Sequence, residues 1–378
     1  MKRAVSCLLC LAALAAVPVP AQAVSADSAR SAVLIHADTG RALYEKNADE
    51  RSLIASTTKI MTALVVVENC GLDEPVYIER EYTGIEGSSM YLEPGQTRTV
   101  RDLLYGLMLA SGNDAAVALA CHTAGSVEAF ADMMNERAAE LGLGNSSFKN
   151  PHGLDAEGHY SSARDLALIT SEALENEDFA EIFATKSVTI DGQTYVNHNR
   201  LLFSYDGCIG GKPGYTIAAG RTLVSAAERD GLTLICVTIS DPDDWNTHTR
   251  LLDWGFENYC LKSIGLPERE IDVPLISGFT DTVKAGCPEP AEVLVERGAG
   301  CTCLIELPPF VYAPVTAGDV LGKINVYSGG KLLASAPIKA LENAPLDGRI
   351  ELSTWERFRL ALGRLALPGI YYPAFLES

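Results

Sequence analysis

Three short stretches carry residue types suited to nucleophilic chemistry. Ser56-Thr57-Thr58-Lys59 stands at the expected start of a helix, where a residue three places on faces the same side one turn away. A serine hydroxyl is a poor nucleophile until a base removes its proton. Lys59 can be that base if burial and a neighbouring cation hold it neutral. The spacing alone is common, and Ser56 is equally suited to capping the helix. Ser111-Gly112-Asn113 falls where one expected helix ends and another begins; its hydroxyl can relay a proton and its amide can hold a carbonyl, yet a capped turn has the same composition. Lys212-Pro213-Gly214-Tyr215-Thr216 supplies fixed positive charge beside glycines that admit close backbone approach. Residues 207–212 are no phosphate loop, because the glycine spacing is one residue short and proline follows the lysine where Ser or Thr should hold magnesium.

The elements that must position these stretches follow from patterning. A hairpin is expected from runs 33–37 and 41–45 flanking Asp38-Thr39-Gly40. Helical patterns start at Ser56 and cover 100–110, 114–121, 127–141, 163–174 and 245–259, with strand-like runs at 222–227 and 232–240. Strands first, helices in the middle and strands again predict an α+β domain, an antiparallel sheet flanked by helices, over residues 24–267. Past residue 267 short β-type runs at 269–273, 292–295, 302–306, 320–327 and 331–338 predict a small all-β domain over 268–346. The tail, 347–378, holds an expected C-terminal amphipathic helix at 352–367, with Trp355, Phe358, Leu362 and Leu365 on one face and a net basic character that suits an interfacial membrane anchor. Docking on the β domain is the competing reading of that helix.

Composition bounds the function. The 378 residues carry 30 Lys+Arg against 49 Asp+Glu, a formal charge of −19, which argues against nucleic acid as a partner. Lys2-Arg3, an apolar run at 4–17 and Pro18-Val19-Pro20-Ala21-Gln22-Ala23 have the order of a secretory signal peptide over residues 1–23, with cleavage expected after Ala23 and Ala26 as an alternative. The apolar run is too short for a membrane span of about 20 residues, so the protein is expected to be exported to the outer face of the cytoplasmic membrane or the wall. Eight cysteines lie beyond the signal, where disulfides and buried thiols are both possible; only Cys287 with Cys301 or Cys303 offers a plausible pair. No Cys/His cluster has zinc-ligand spacing and none of the six histidines lies in an H-E-x-x-H, so no metal and no cofactor is expected.

Together and in this order, S-x-x-K, S-x-N and K-x-G match the set found in penicillin-recognising serine enzymes. The chain resembles the low-molecular-mass penicillin-binding proteins, the serine-type D-alanyl-D-alanine carboxypeptidases of peptidase family S11. The resemblance extends to Glu86-Gly87-Ser88-Ser89-Met90-Tyr91, Asn150-Pro151-His152-Gly153-Leu154-Asp155, Ser161-Ser162-Ala163-Arg164-Asp165 and Asn197-His198-Asn199-Arg200-Leu201-Leu202. It implies a β-lactamase/transpeptidase-like catalytic domain, a peptidoglycan stem peptide ending in D-Ala-D-Ala as substrate, β-lactams as covalent inhibitors and a role in cell-wall biogenesis. It also implies Ser56 as nucleophile, Lys59 as general base, Ser111 as proton relay, and Asn113, Lys212, Gly214, Tyr215 and Thr216 as substrate-binding residues. His152, Asp155 and Asp165 read better as loop braces.

One departure stands out. The family's third motif is usually K-T-G, whose threonine hydroxyl helps bind the substrate carboxylate, and Pro213 occupies that place. Retuned activity or an impaired penicillin-binding scaffold both follow from that change, with Thr216 and Arg200 as candidate substitutes. A β-lactamase is a further alternative, because Glu172-Ala173-Leu174-Glu175-Asn176 has the E-x-x-x-N spacing of a deacylation base.

Overall fold

A computed structural model of the chain describes residues 24–266, 270–288, 291–348 and 370–374. Strand β1 (Ser31–His36) is buried along its whole length, which requires cover on both faces. It lies inside a five-stranded antiparallel sheet with β2 (Ala42–Lys46), β3 (Cys208–Thr216), β4 (Gly220–Arg229) and β5 (Leu232–Ile239), in the order β2-β1-β5-β4-β3. Alternate residues point to opposite sides. Val33, Ile35, Val224, Ala226, Ile235 and Val237 join the main core with the helices, while Ala32, Leu34, Leu223, Leu234 and Cys236 face a second core.

Helices α1 (Lys59–Asn69), α2 (Val100–Met108), α3 (Asn113–Ala124), α4 (Val127–Glu140), α5 (Ala163–Leu174) and α6 (Glu177–Ala184) contribute to the main core. Helix α7 (Asp244–Asn258) covers the opposite face through Leu251, Leu252 and Phe256. Local chemistry fixes the ends. Thr99 and Asp102 form a capping box on α2, and Ser126, Ser162 and Asn176 cap α4, α5 and α6.

Several expectations need correction. Ser56 lies in a 3₁₀ turn, Ala55–Thr58, and α1 begins only at Lys59. Helix α6 and the hairpin of Ser187–Ile190 with Gln193–Val196 were not anticipated, and the Lys212 motif lies within a nine-residue strand that begins at Cys208. Strand Tyr259–Ile264, on the catalytic side of the expected boundary at 267, pairs with Ala291–Glu296. The following strands make a seven-stranded sheet around Val273, Val283, Ile305, Ile324, Val326 and Ile338. Ile370–Ala374, inside the stretch assigned to the tail, pairs with Cys301–Leu307 in that sheet. The signal at 1–23 and the amphipathic helix at 352–367 lie outside the described residues. Cys287, Cys301 and Cys303 are free thiols, like the other cysteines from Cys70 onward.

Candidate active site

The site forms where the 3₁₀ turn, the start of α3 and edge strand β3 converge. In a 3₁₀ turn residues i and i+3 eclipse, so Ser56 and Lys59 remain adjacent although the turn is not α-helical. Lys59 Nζ lies 3.0 Å from Ser56 Oγ and 2.7 Å from both Asn113 Oδ1 and the His152 carbonyl. A neutral amine has two hydrogens and one lone pair. The two shorter contacts take the hydrogens, and the lone pair then faces the Ser56 hydroxyl. Burial pushes the Lys59 pKa well below the usual lysine value; the Lys212 charge adds to this, and Asp114 opposes it.

Lys212, also fully buried, donates to Ser111 Oγ at 2.9 Å and to the Pro213 carbonyl at 3.3 Å. Desolvation lowers its pKa to about 7. Ser111 takes a left-handed φ of +58°, and Ala55 and Tyr91, both in segments bordering the site, also have positive φ. Such strain in residues other than glycine persists only where the surroundings over-determine it. Asn113 donates from Nδ2 to the Glu86 carbonyl at 2.6 Å, so its amide joins Lys59 to the 86–92 segment.

Two glycines set the close approaches. A Cβ at Gly214 would stand 2.9 Å from the Ser56 nitrogen and 2.6 Å from Thr222 Oγ1, so glycine lets β3 run directly beside Ser56. At Gly153, φ +87°, a Cβ would stand 1.9 Å from the Ala55 carbonyl oxygen. Gly153→Ala is expected to push the His152 carbonyl away from Lys59. Left-handed strain and the clash together should cost at least about 2 kcal/mol, read as a fall in melting temperature on the order of 5 °C or more. An unchanged melting curve contradicts this reading.

The remaining residues divide by contact. Thr216 Oγ1 donates to Asp155 Oδ1 at 3.0 Å and accepts from the Ala219 amide at 3.0 Å, so its hydroxyl ties the end of β3 to the loop that holds Asp155. Tyr215 is 65% exposed at the outer end of β3. His152 contributes its carbonyl; burial and the nearby lysine hold its imidazole pKa down to about 4. Asp165 accepts from the Asn145 amide and the Ser146 hydroxyl. Glu172 pairs with Arg137 on α4 at 2.5 Å, and Asn176 caps α6, so the E-x-x-x-N spacing is absorbed by helix ends.

Sequence reading missed two supports. Asp114, 1% exposed, accepts from the amides of Met90, Leu92 and Ala115 and from the Ser89 hydroxyl, which fastens the 86–92 segment over Asn113. Its only signal was adjacency to Asn113, and an acid in a first helical turn has an ordinary explanation in the helix dipole. His159 accepts the Lys149 amide at Nδ1, which leaves its Nε2 hydrogen to donate to Thr58 Oγ1 at 2.9 Å beneath the turn. Its pKa, lowered to about 4 by burial and then Lys149, keeps it neutral.

A serine beside two buried lysines, on a helix-flanked antiparallel sheet followed by an all-β domain, is the architecture of the penicillin-binding proteins. Residues 18–243 match the D-alanyl-D-alanine carboxypeptidase family, peptidase S11, and residues 270–345 match the C-terminal domain of penicillin-binding protein 5. The chain belongs to the D-alanyl-D-alanine carboxypeptidase family. It is 35% identical over 356 residues to D-alanyl-D-alanine carboxypeptidase DacF of Bacillus subtilis, covering 88% of this chain and 92% of that protein. DacC of Escherichia coli is 35% identical over 343 residues, covering 85% of each. The crystal structure of penicillin binding protein 5 from Haemophilus influenzae superposes with a TM-score of 0.72 at 31% identity, covering 84% of this chain and 98% of that one.

Proposed function

We propose that this D-alanyl-D-alanine carboxypeptidase works through an acyl-enzyme on Ser56 and acts outside the cytoplasmic membrane. The observation that carries the serine mechanism is the buried Lys59 amine, 3.0 Å from Ser56 Oγ and 2.7 Å from two further acceptors, Asn113 Oδ1 and the His152 carbonyl. Ser56 Oγ attacks the carbonyl of the penultimate D-Ala while Lys59 takes its proton. The oxyanion develops beside β3, where the amides of Ser56 and Tyr215 are the candidate donors; one such donor is worth about 3 kcal/mol. When the C–N bond breaks, the proton that Lys59 took from Ser56 passes to the departing D-Ala amine by way of the Ser111 hydroxyl that Lys212 holds, which leaves Lys59 neutral again. Water then hydrolyses the ester. The second hydrogen on Asn113 Nδ2 is available to the peptide, and Lys212 supplies the charge that attracts the terminal carboxylate.

Export rests on the sequence order of residues 1–23. The packing around Ala26 supports cleavage after Ala23 over cleavage after Ala26. Ala26 is fully buried, and Lys46 Nζ donates to the carbonyls of Ala26, Asp27 and Ala29, so residues 24–29 belong to the folded domain. Among the described residues no helix is long and apolar enough to cross a membrane. The sequence of residues 352–367, net basic with Trp355 and Phe358 at the spacing of an apolar helix face, supports surface attachment, tested by vesicle flotation of the chain with and without that segment.

Covalent labelling with a fluorescent penicillin, paired with measured D-Ala release, tests the mechanism. Ser56-dependent label with D-Ala release is the expected result; label without release points to a scaffold, and rapid loss of label points to a β-lactamase. Pro213 adds a quantitative expectation. It sits on edge strand β3, where a missing N–H is tolerated, but the absent hydroxyl removes a hydrogen bond to a charged group worth about 1.5 to 3 kcal/mol. Pro213→Thr should therefore lower KM on the order of 10- to 100-fold. No gain in D-Ala release sinks the idea that this hydroxyl is limiting.

A further inference from the structure

Helices α1 and α3 begin at Lys59 and Asn113, and their opposite ends also meet. Cys70 follows the last residue of α1, Glu74 lies four residues on, and His122 is in the last turn of α3. The Cys70 sulfur, a Glu74 carboxylate oxygen and a His122 ring nitrogen all lie within 4.8 Å of one another. Among the described residues this is the one such group of three or more His, Cys, Asp or Glu side chains. Spacing along the chain carries no zinc signature, because His122 is 48 residues from Glu74; the packing of α3 beside α1 brings the donors together.

The donor set, one thiol, one imidazole and one carboxylate, is the mixed set that zinc accepts. Tetrahedral bonds of about 2.0 to 2.3 Å place donors about 3.3 to 3.8 Å apart. His122 Nε2 and Glu74 Oε2 are 3.0 Å apart, so only a small parting is needed between them. The surroundings orient these groups. The Gly71 amide donates to Glu74 Oε1 at 2.6 Å, leaving Oε2 for His122, and the Thr123 hydroxyl, whose own hydrogen goes to the Leu119 carbonyl at 2.8 Å, accepts from the Cys70 thiol at 3.2 Å and so fixes the position of the sulfur. The His122 side chain is 24% exposed and that of Glu74 50%, which leaves an entry path and room for a water as fourth ligand. A surface His–Glu pair and the packing of Cys70 against the main core account for these groups separately; a cation is what would use all three donors together.

We propose that Cys70, Glu74 and His122 form a binding site for a zinc-type divalent cation. Binding releases the thiol proton to solvent and ties the C-terminal end of α1 to that of α3. These helices carry Lys59 and Asn113 at their N-terminal ends, so the cation braces the scaffold of the cleft from about 16 Å away, the length of α1.

Cobalt(II) titration of the purified protein tests this, because thiolate bound to tetrahedral cobalt gives a near-ultraviolet charge-transfer band and intense visible bands. One equivalent per chain is expected, displaced by zinc, lost in Cys70→Ser and His122→Gln and retained in Cys287→Ser. Zinc should also raise the melting temperature of the parent protein and of Cys287→Ser, but not of the first two variants. Melts without metal report whether each variant folds, independently of any catalytic assay. Absence of the band, a band that survives Cys70→Ser, or cobalt affinity unchanged in His122→Gln overturns the proposal.

Discussion

Ser56→Ala is expected to abolish D-Ala release and covalent penicillin labelling together, with kcat falling on the order of 10⁶-fold, as loss of the nucleophilic serine does in subtilisin. The expectation rests on how little else that hydroxyl does. Ser56 is half-buried, and its Oγ hydrogen-bonds Lys59 Nζ and not the backbone of the turn, so removing it leaves the turn intact. The turn is held instead by Thr57 and Thr222, whose hydroxyls both donate to the Ile54 carbonyl at 2.6 and 3.2 Å, and by Thr58 against His159. The variant should therefore fold and melt within about 1 kcal/mol of the parent, and still bind substrate non-covalently through Asn113 and Lys212. A labelled variant, or one releasing D-Ala at a rate near the parent's, removes Ser56 from the role of nucleophile. Loss of label accompanied by loss of folding leads to Ser56→Cys, whose thiol keeps the side chain's size and should restore penicillin acylation in a folded protein.

What the sequence made legible follows the range of the forces involved. Helices 127–141 and 163–174 and strands 222–227 and 232–240 are set by local periodicity and capping, and the structure shortens or extends them by only a few residues. Ser56, Lys59, Ser111, Asn113 and Lys212 stood out because three motifs, each weak alone, occur in the order that resembles the penicillin-recognising enzymes. The supporting groups had no such signal. Asp114 looks like an ordinary helix-start acid until the fold wraps residues 89–92 around its carboxylate. The Lys59 acceptor from His152 is a backbone carbonyl, which side-chain identity does not encode. Thr216 looked like a substitute for the hydroxyl missing at Pro213, and its bonds to Asp155 and the Ala219 amide had no signal in the sequence. Strand β3 was hard to see because three glycines and a proline dilute its pattern, and two of those glycines, Gly214 and Gly211, let it pass beside Ser56 and Asn199.

The second large effect concerns the base. Lys59→Met keeps the length and apolar stem of the side chain but has no lone pair for the Ser56 proton, and acylation should slow by about 10²- to 10⁴-fold. The pH profile separates this from a loss of packing. Below the Lys59 pKa in the folded protein the amine is protonated and cannot accept, so acylation by the parent falls as pH falls. That limb lies well below the ordinary lysine range because burial, and then Lys212, destabilise the ammonium. The two charges that act on Lys59 have opposite signs, so their removal should move the limb in opposite directions. Lys212→Met takes away a cation; the Lys59 pKa rises and the limb shifts to higher pH. Asp114→Asn takes away an anion; the pKa falls further and the limb shifts to lower pH. Lys212→Met should also raise KM, since the charge that meets the carboxylate is gone, whereas Asp114→Asn should act first through the loosened 86–92 segment. A limb that stays fixed in both variants, or moves the same way in both, contradicts Lys59 as the group whose deprotonation starts the reaction. A Lys59→Met variant that acylates at the parent rate contradicts it outright.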